Sequence, residues 1–175
     1  MNRTLKTGAV LKEGSFDQRP VENREDVLIF TTPALQHDVE VIGPVSVKLY
    51  AATDARDTDF TVVLIDVYPD GKAMNVTEGI VRGRFRESIW DAPILLTPGQ
   101  LYEYTVELLP TARIFQKGHK IGVHLSSGRF PLWDRNTNTG NNPATDTQTR
   151  VARQIAYHDA QRPSHIVLPI QAVRR

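Results

Sequence analysis

The sequence predicts an all-β fold, a jelly-roll β-sandwich. From residue 26 onward, apolar residues recur with a period of two, which is typical of strands that bury one face. Turn-forming residues such as Pro98-Gly99 and Pro69-Asp70-Gly71 separate these runs. Helical periodicity is scarce, and about eight or nine short strands joined by frequent turns indicate two packed antiparallel sheets.

Each predicted strand is an alternating or fully apolar run that ends at a turn or a proline. The run that begins at Val27 stops at Pro33, and Gly43-Pro44 predicts a break between two further strands. Residues 60–67 are apolar on both faces, as in a strand in the middle of a sandwich. A short turn is predicted around residues 112–116. The predicted strands are 27–32, 39–42, 45–51, 60–67, 81–86, 102–108, 121–126, 151–157 and 164–170, and the predicted core residues are Val45, Val47, Leu49, Phe60, Val62, Leu64, Tyr104, Val106, Val123 and Leu125.

Length and composition predict one domain with short extensions. The chain has 175 residues, of which 40% are hydrophobic and 23% charged, ordinary values for a globular domain. Residues 1–25 are polar and show no period, so we predict a linker or extended arm there. Residues 26–170 then form the domain, and residues 171–175 form a tail.

Charge and hydropathy exclude several kinds of partner. The net charge of +1 is too small to favour electrostatic binding of nucleic acid or acidic lipid. No run of 18 apolar residues occurs, and the first residues lack the apolar core of a signal peptide. We therefore predict neither a nucleic-acid nor a membrane partner. The absence of cysteine excludes disulfides and thiolate catalysis and fits a cytoplasmic location.

Polar residues that could carry chemistry do not form a recognisable catalytic set. The chain has no Gly-x-Ser-x-Gly motif, so no catalytic residue is assigned. His119 and His124 are five residues apart and project to opposite faces of a strand, so we predict no metal site and no cofactor. Asp54, Asp57 and Asp59 are either calcium ligands or residues that cap a turn, and the turn is favoured.

Three arginines alternate along one predicted strand. Arg82, Arg84 and Arg86 would share one face of residues 81–86. Such a face could bind an anionic ligand. Cross-strand pairing with Glu103 and Glu107 is the favoured interpretation, because charged ladders are common on exposed sheets.

The segment 130–140 is the main candidate for a binding site. It combines aromatic residues, a proline, an Asp-Arg pair and asparagines in a long loop, and loops carry most binding functions. The alternative is a self-packed Ω-loop whose asparagines satisfy its own backbone. The interface candidates are Phe130, Trp133, Asp134, Arg135 and Asn136.

Several short motifs follow one another in a fixed order between residues 16 and 169. Each is weak alone, and their order makes the set specific. They are Asp17-Gln18-Arg19-Pro20-Val21-Glu22, Asp26-Val27-Leu28, Gly43-Pro44-Val45, Asp57-Thr58-Asp59-Phe60-Thr61, Asp66-Val67-Tyr68-Pro69-Asp70-Gly71, Glu78-Gly79-Ile80-Val81-Arg82, Gly118-His119-Lys120-Ile121, Ser126-Ser127-Gly128-Arg129-Phe130-Pro131, Asp134-Arg135-Asn136 and Pro163-Ser164-His165-Ile166-Val167-Leu168-Pro169.

Together these motifs resemble the C-terminal β-domain of the cocaine esterase and X-prolyl dipeptidyl-peptidase family of serine hydrolases. The resemblance implies a jelly roll similar to galactose-binding domains, packed on an α/β-hydrolase domain that carries the catalytic Ser, His and Asp. It also implies that the chain just before residue 16 passes near the active site. None of the three catalytic residues matches a position in this chain.

The sequence is therefore consistent with two functions. The first is a non-catalytic C-terminal domain of a serine hydrolase that cleaves esters, amides or X-Pro dipeptides; it packs on the catalytic domain and helps to shape the active site. That partner domain belongs to the same or a separate chain, and a homo-oligomer is also expected. The alternative is a free-standing β-sandwich module that binds a carbohydrate or another ligand, for which exposed aromatic residues are the usual platform.

Overall fold

The computed structural model describes residues 3–4, 10–11 and 14–171. These residues form one strongly curled antiparallel sheet and a separate two-stranded hairpin, so the predicted all-β sandwich is confirmed. The elements are β1 (Arg3–Thr4), β2 (Val10–Leu11), α1 (Arg19–Glu22), β3 (Leu28–Thr31), β4 (Val39–Thr53), β5 (Asp59–Val67), β6 (Ala73–Arg82), a 3₁₀ turn (Gly83–Phe85), β7 (Leu101–Phe115), β8 (Lys120–Ser126), β9 (Gln154–Tyr157) and β10 (His165–Val167).

The large sheet folds back on itself to make two layers. Its strand order is β10-β4-β7-β6-β5-β8-β3, and β9 also pairs with β4. The second layer, β6-β5-β8-β3, joins the first through a single ladder pair between Gly79 of β6 and Leu108 of β7. Phe60 of β5 meets Tyr104 of β7 across the interior, with ring centroids 4.8 Å apart. The sheet is therefore continuous at the β6–β7 seam and open on the opposite side, between β3 and β9/β10.

The two longest strands are longer than the sequence predicts. The predicted break at Gly43-Pro44 is wrong, because β4 runs on through these residues with a register shift between Gly43 and Val45. Gly43 has a φ of 130°, a conformation that glycine alone adopts easily, so the sequence signal marks a bulge. The predicted turn at residues 112–116 is also wrong, because this segment of β7 pairs with residues 39–42 of β4.

The core lies between the layers and closely follows the predicted set. Nine of the ten predicted core residues are buried. The tenth, Val123 of β8, is half-buried, because the layer opposite it is open. The buried cluster is completed by Val41, Ala51, Leu96, Leu108, Phe115 and Ile121.

Residues 15–18 pair with the edge of β6, and α1 lies against the outer face of β8. The backbone of Gln18 donates to the carbonyl oxygen of Ala73 (2.7 Å), and the Gln18 side chain is buried. Glu22 of α1 contacts the ring of His124 (Oε1 to Nε2, 3.0 Å). The predicted division between a linker or arm and the domain at residue 25 stays a prediction. No helix in the described residues is long and apolar enough to span a membrane.

Acidification is expected to destabilise the protein through His124. Burial lowers the pKa of His124, and this effect outweighs the attraction of Glu22, which raises it. The unfolded chain, with a pKa of about 6.5, therefore binds more protons than the folded chain as the pH falls through that value. The stability contribution is present above about pH 6.5 and is lost below it. The melting temperature should fall between about pH 7.5 and 5.5, and His124→Gln should flatten this part of the dependence. His37→Gln, at an exposed position, is the matched control.

Candidate functional site at the loop end

Three loops meet at one end of the sandwich, which we call the loop end: residues 54–58, 83–100 and 127–153. The strand register brings them together. Asp59 at the start of β5 pairs with Arg82 at the end of β6, and Thr61 pairs with Ser126 at the end of β8. In the other layer, the end of β4 pairs with the starts of β7 and β9. Residues that are far apart in the chain therefore form one surface.

Two ion pairs lie beneath these loops, one buried and one partly buried. Asp57 accepts from Arg84 Nε (2.7 Å) and from the Arg84 backbone N–H (2.9 Å), and both side chains are buried. Asp59 accepts from both Arg82 Nε (2.9 Å) and the Arg82 terminal NH2 (3.0 Å). The hydrogen bond to Asp59 raises the pKa of Arg82 above its already high value, so the Arg82 guanidinium stays charged at physiological pH. Buried charges are tolerated in such positions because each has an opposite charge and further hydrogen bonds.

Asn136 joins the 127–153 loop to both ion pairs. Its side-chain Nδ2 donates to Asp57 Oδ2 (2.9 Å) and to Asp59 Oδ1 (2.7 Å). The same carboxylates thus fix the arginines and the loop. Arg82 also donates to the carbonyl oxygen of Asp134 (3.3 Å), and Arg84 to that of Asn141 (2.8 Å). The polar base of this loop is held by charge-assisted hydrogen bonds, which are stronger than neutral ones.

The prediction that the three arginines pair with Glu103 and Glu107 is wrong. Strand β6 ends at Arg82, and residues 83–85 form a 3₁₀ turn, so the arginines do not alternate on one strand face. Arg82 and Arg84 pair instead with Asp59 and Asp57. Arg86 lies over the ring of Tyr102, 4.4 Å from its centroid, and donates to the carbonyl oxygens of Gly83 and Ile94. Glu103 pairs with Lys48 and Tyr50.

The five predicted interface residues occupy different environments. Asn136 is half-buried in the ionic network, and Trp133 is half-buried. Asp134 and Arg135 are exposed, and Phe130 is 68% exposed. Within this segment Asn136 is bound to the domain and Phe130 is exposed, and the assignment of a binding site to residues 130–140 stays a prediction.

Other apolar residues of the loop end escaped the sequence analysis. Trp90 is 89% exposed and Ile89 is 70% exposed on the 83–100 loop, and Val151 is 90% exposed on the 127–153 loop. Trp90 and Trp133 are in distant segments of the sequence, although their loops emerge from the same end. The available signal was the adjacent pair Ile89-Trp90 in a segment without strand alternation.

A second buried network lies at the other end of the sandwich. Asp66, fully buried, accepts from Arg113 (2.5 Å) and contacts His119 Nδ1 (2.8 Å). Tyr68 packs on the His119 ring and receives a bond from Arg113 (3.0 Å). Asp66, Arg113 and His119 satisfy one another, so this cluster closes the end of the core.

The serines nearest to histidine in the sequence have other hydrogen-bond partners. Ser126 bonds the hydroxyl of Thr61 (2.7 Å), Ser127 bonds Gln154, and Ser164 donates to the carbonyl oxygen of Tyr157 (2.6 Å). A serine nucleophile needs a base within hydrogen-bond reach and an acid that orients that base. Among residues 14–171, no three metal-ligating side chains converge either.

The fold and the loop end define a β-sandwich domain with apolar loop tips on an ion-paired base. The match to a family model agrees with this: residues 2–167 match the X-Pro dipeptidyl-peptidase C-terminal non-catalytic domain. The chain belongs to this family, as the order of its motifs predicted.

Individual relatives support the same assignment. The chain is 43% identical to cocaine esterase from Rhodococcus sp. (strain MB1 Bresler) over 159 residues, which are 90% of this chain and 28% of that protein. A solved α-amino acid ester hydrolase superimposes with a TM-score of 0.84 at 36% identity, over 89% of this chain and 27% of that one. An aminopeptidase from a marine-sediment Thaumarchaeota archaeon gives 0.80 at 32% identity, over 89% and 27%. The chain thus spans little more than a quarter of the length of these relatives.

Proposed function

We propose that this domain packs through its loop end on the α/β-hydrolase catalytic domain of a serine hydrolase, in the same or a separate chain, and helps to shape its active site. The reaction of the whole enzyme is hydrolysis of an ester or amide bond, the class to which its named relatives point. In this proposal the domain positions and encloses the substrate, and the partner domain supplies the nucleophile.

The observation that carries the proposal is the composition of the loop end. Six of the exposed large apolar residues lie on two of its loops, and exposed apolar clusters are typical of interaction sites. Aromatic and arginine side chains are the usual anchors of such contacts. The ion pairs below hold the loops in one conformation, which reduces the entropy lost on association. The six residues are Ile89, Trp90, Ile94, Phe130, Leu132 and Val151.

The relatives support the choice of partner. Cocaine esterase and the α-amino acid ester hydrolase contain this domain within chains more than three times longer. The family model describes the domain as non-catalytic, so the catalytic groups of such enzymes lie in the remaining chain. That remaining chain is the occupant we propose for the loop end.

The proposal is tested with the part of Rhodococcus cocaine esterase that this chain does not match, added to the purified domain. We expect association by isothermal titration calorimetry, and Phe130→Asp should weaken it by about tenfold or more, because a charge replaces an apolar anchor at the interface. Phe130 is 68% exposed, so the melting temperature should stay within about 2 °C of the wild type.

Leu109→Asp is the matched control, since Leu109 is also 68% exposed but lies in β7 outside the three loops. It should leave association unchanged. Equal weakening by both substitutions, or no association of the wild type, would contradict the proposal. Sedimentation of the domain alone measures the predicted self-association in the same samples.

A further inference from the structure

The open side of the sandwich contains an apolar cavity of about 340 Å³. It lies between β3 and β8 on one side and β4, β9 and β10 on the other. Phe30, Val123 and Leu125 line one wall, and Val47, Leu49 and Ile166 line the other. The Phe30 ring stacks on His158 with centroids 5.4 Å apart, which is where the two layers touch. The volume of the cavity is in the range of ligand-binding pockets in proteins.

Strand β3 exposes apolar side chains on its core face. Leu28 pairs with Leu125 and Phe30 pairs with Val123, and directly opposed residues lie on the same face of a sheet. Leu125 belongs to the buried core, so Leu28 and Phe30 point into the sandwich. They are nevertheless 45% and 37% exposed. Within residues 14–171, this core face therefore lacks a covering element.

The backbone of β3 also has an unpaired edge. Thr32 N–H donates to the carbonyl oxygen of Ile121 (3.0 Å). Because hydrogen-bonded and non-hydrogen-bonded pairs alternate in antiparallel ladders, the N–H and C=O groups of Ile29 and Thr31 point away from β8. Within residues 14–171, no strand pairs with this side of β3. The segment 27–32 carries no charge that would discourage pairing.

Two polar side chains at the mouth of the cavity, those of Ser164 and His165, have hydrogen-bond partners within the domain. Ser164 Oγ accepts from the backbone of Tyr50 (2.9 Å) and donates to the carbonyl oxygen of Tyr157 (2.6 Å). His165 Nδ1 bonds the carbonyl oxygen of Pro163 (2.6 Å). The gap therefore offers chiefly an unpaired strand edge and an apolar surface. An extended apolar segment matches both, because its backbone pairs with the edge and every second side chain enters the cavity.

We propose that an extended apolar segment of the hydrolase chain, from outside the 175 residues of this domain, adds to β3 as a further strand and fills the cavity. This inference rests on the proposed function, since the occupant comes from the larger enzyme. The unmatched part of Rhodococcus cocaine esterase, more than two thirds of that protein, has ample length for it. The added strand makes the sandwich dependent on the rest of the hydrolase for a complete core.

Amide hydrogen exchange tests the proposal residue by residue. The probes are the unmatched part of Rhodococcus cocaine esterase and overlapping peptides of about ten residues from it, the upper length of ordinary strands. We expect at least one peptide to slow exchange of the Ile29 and Thr31 amides by about tenfold or more. The Thr32 amide is bonded within the domain and serves as the internal reference.

Proline variants remove the edge without removing a bond between β3 and β8. Ile29→Pro or Thr31→Pro deletes one outward N–H, a position where edge strands accept proline. Either variant should abolish peptide binding, and circular dichroism identifies which of them is folded. Phe130→Asp changes the loop end and not β3, so this variant should bind the same peptides as the wild type. Loss of association at the loop end and loss of peptide binding at β3 can therefore be distinguished.

Two outcomes would overturn the inference. The first is unchanged exchange of Ile29 and Thr31 with every peptide and with the whole unmatched part. The second is protection of these amides in the domain alone that disappears on dilution, because that would identify a second copy of this chain as the occupant.

Discussion

Replacing Asp57 with alanine is expected to lower the free energy of unfolding by about 3–5 kcal/mol, the cost of leaving a buried partner charge unpaired. Asp57 is 1% exposed, and Arg84 is 8% exposed. The substitution removes the acceptor of Arg84 Nε, of the Arg84 backbone N–H and of one Asn136 bond. Water cannot replace these bonds fully in a buried site. The loss is a large fraction of an ordinary stability of about 5–15 kcal/mol.

Urea unfolding followed by circular dichroism measures this change. Asp70→Ala is the matched control, because Asp70 pairs with Lys72 in an exposed turn, where ion pairs contribute about 0–1 kcal/mol. The double variant Asp57→Ala/Arg84→Ala should lose less than the sum of the single losses, since it leaves no buried charge unpaired. Additive losses, or a loss for Asp57→Ala no larger than for Asp70→Ala, would contradict the coupling.

Gly79→Ala is expected to destabilise the domain by more than about 3 kcal/mol, above the usual cost of an overpacked methyl group. A Cβ atom at residue 79 would lie 2.1 Å from the Glu107 carbonyl oxygen and 2.9 Å from Leu108 Cα. Both neighbours are backbone atoms, so neither can rotate away. Gly79–Leu108 is also the single ladder pair between β6 and β7. The methyl group would therefore push the two layers apart at the seam that joins them.

Thermal unfolding of Gly79→Ala and Gly128→Ala provides the comparison. A Cβ at residue 128 would meet nothing within 4 Å, so this control should stay within about 0.5 kcal/mol of the wild type. Similar melting temperatures for the two variants would mean that β6 and β7 separate at little cost. In that case the 3₁₀ turn after β6 should also keep its ion pairs in Gly79→Ala. The loop end of this variant should then associate as in the wild type in the association assay.

Period-two patterning predicted the strands that line the core and nearly all of the core residues. It was less reliable at strand ends. Strand β6 begins at Ala73, but alternation in the sequence becomes clear only near residue 81. The segment Ala73–Ile80 is polar at several positions, and residues 15–18 pair with its edge, where the Asn75 side chain accepts from the Phe16 N–H (2.5 Å). Periodicity reports one buried face and does not detect such partial cover.

The loop end shows why site prediction was partial. The 130–140 segment was found through its composition, and its family motifs include Asn136. The partners of that asparagine, Asp57 and Asp59, are 79 and 77 residues away in the chain. The sequence therefore suggested a turn for the aspartates and a sheet face for the arginines. The aspartates and the arginines each fit a local pattern in the sequence. Their ion pairs arise only from the register between β5 and β6.

The sequence alone determined the fold class, most of the core and the family, because these depend on residue periodicity and on motif order along the chain. Only the tertiary structure decided which charges are paired, which apolar loops share a surface and which edge of the sheet is open. Ion pairing depends on distances between strands that are distant in sequence, and exposure depends on what lies opposite a face. Phe30 illustrates the difference: its alternation marks it as inward-facing, and the absence of a strand beside β3, at its free edge, within residues 14–171 is what leaves it exposed.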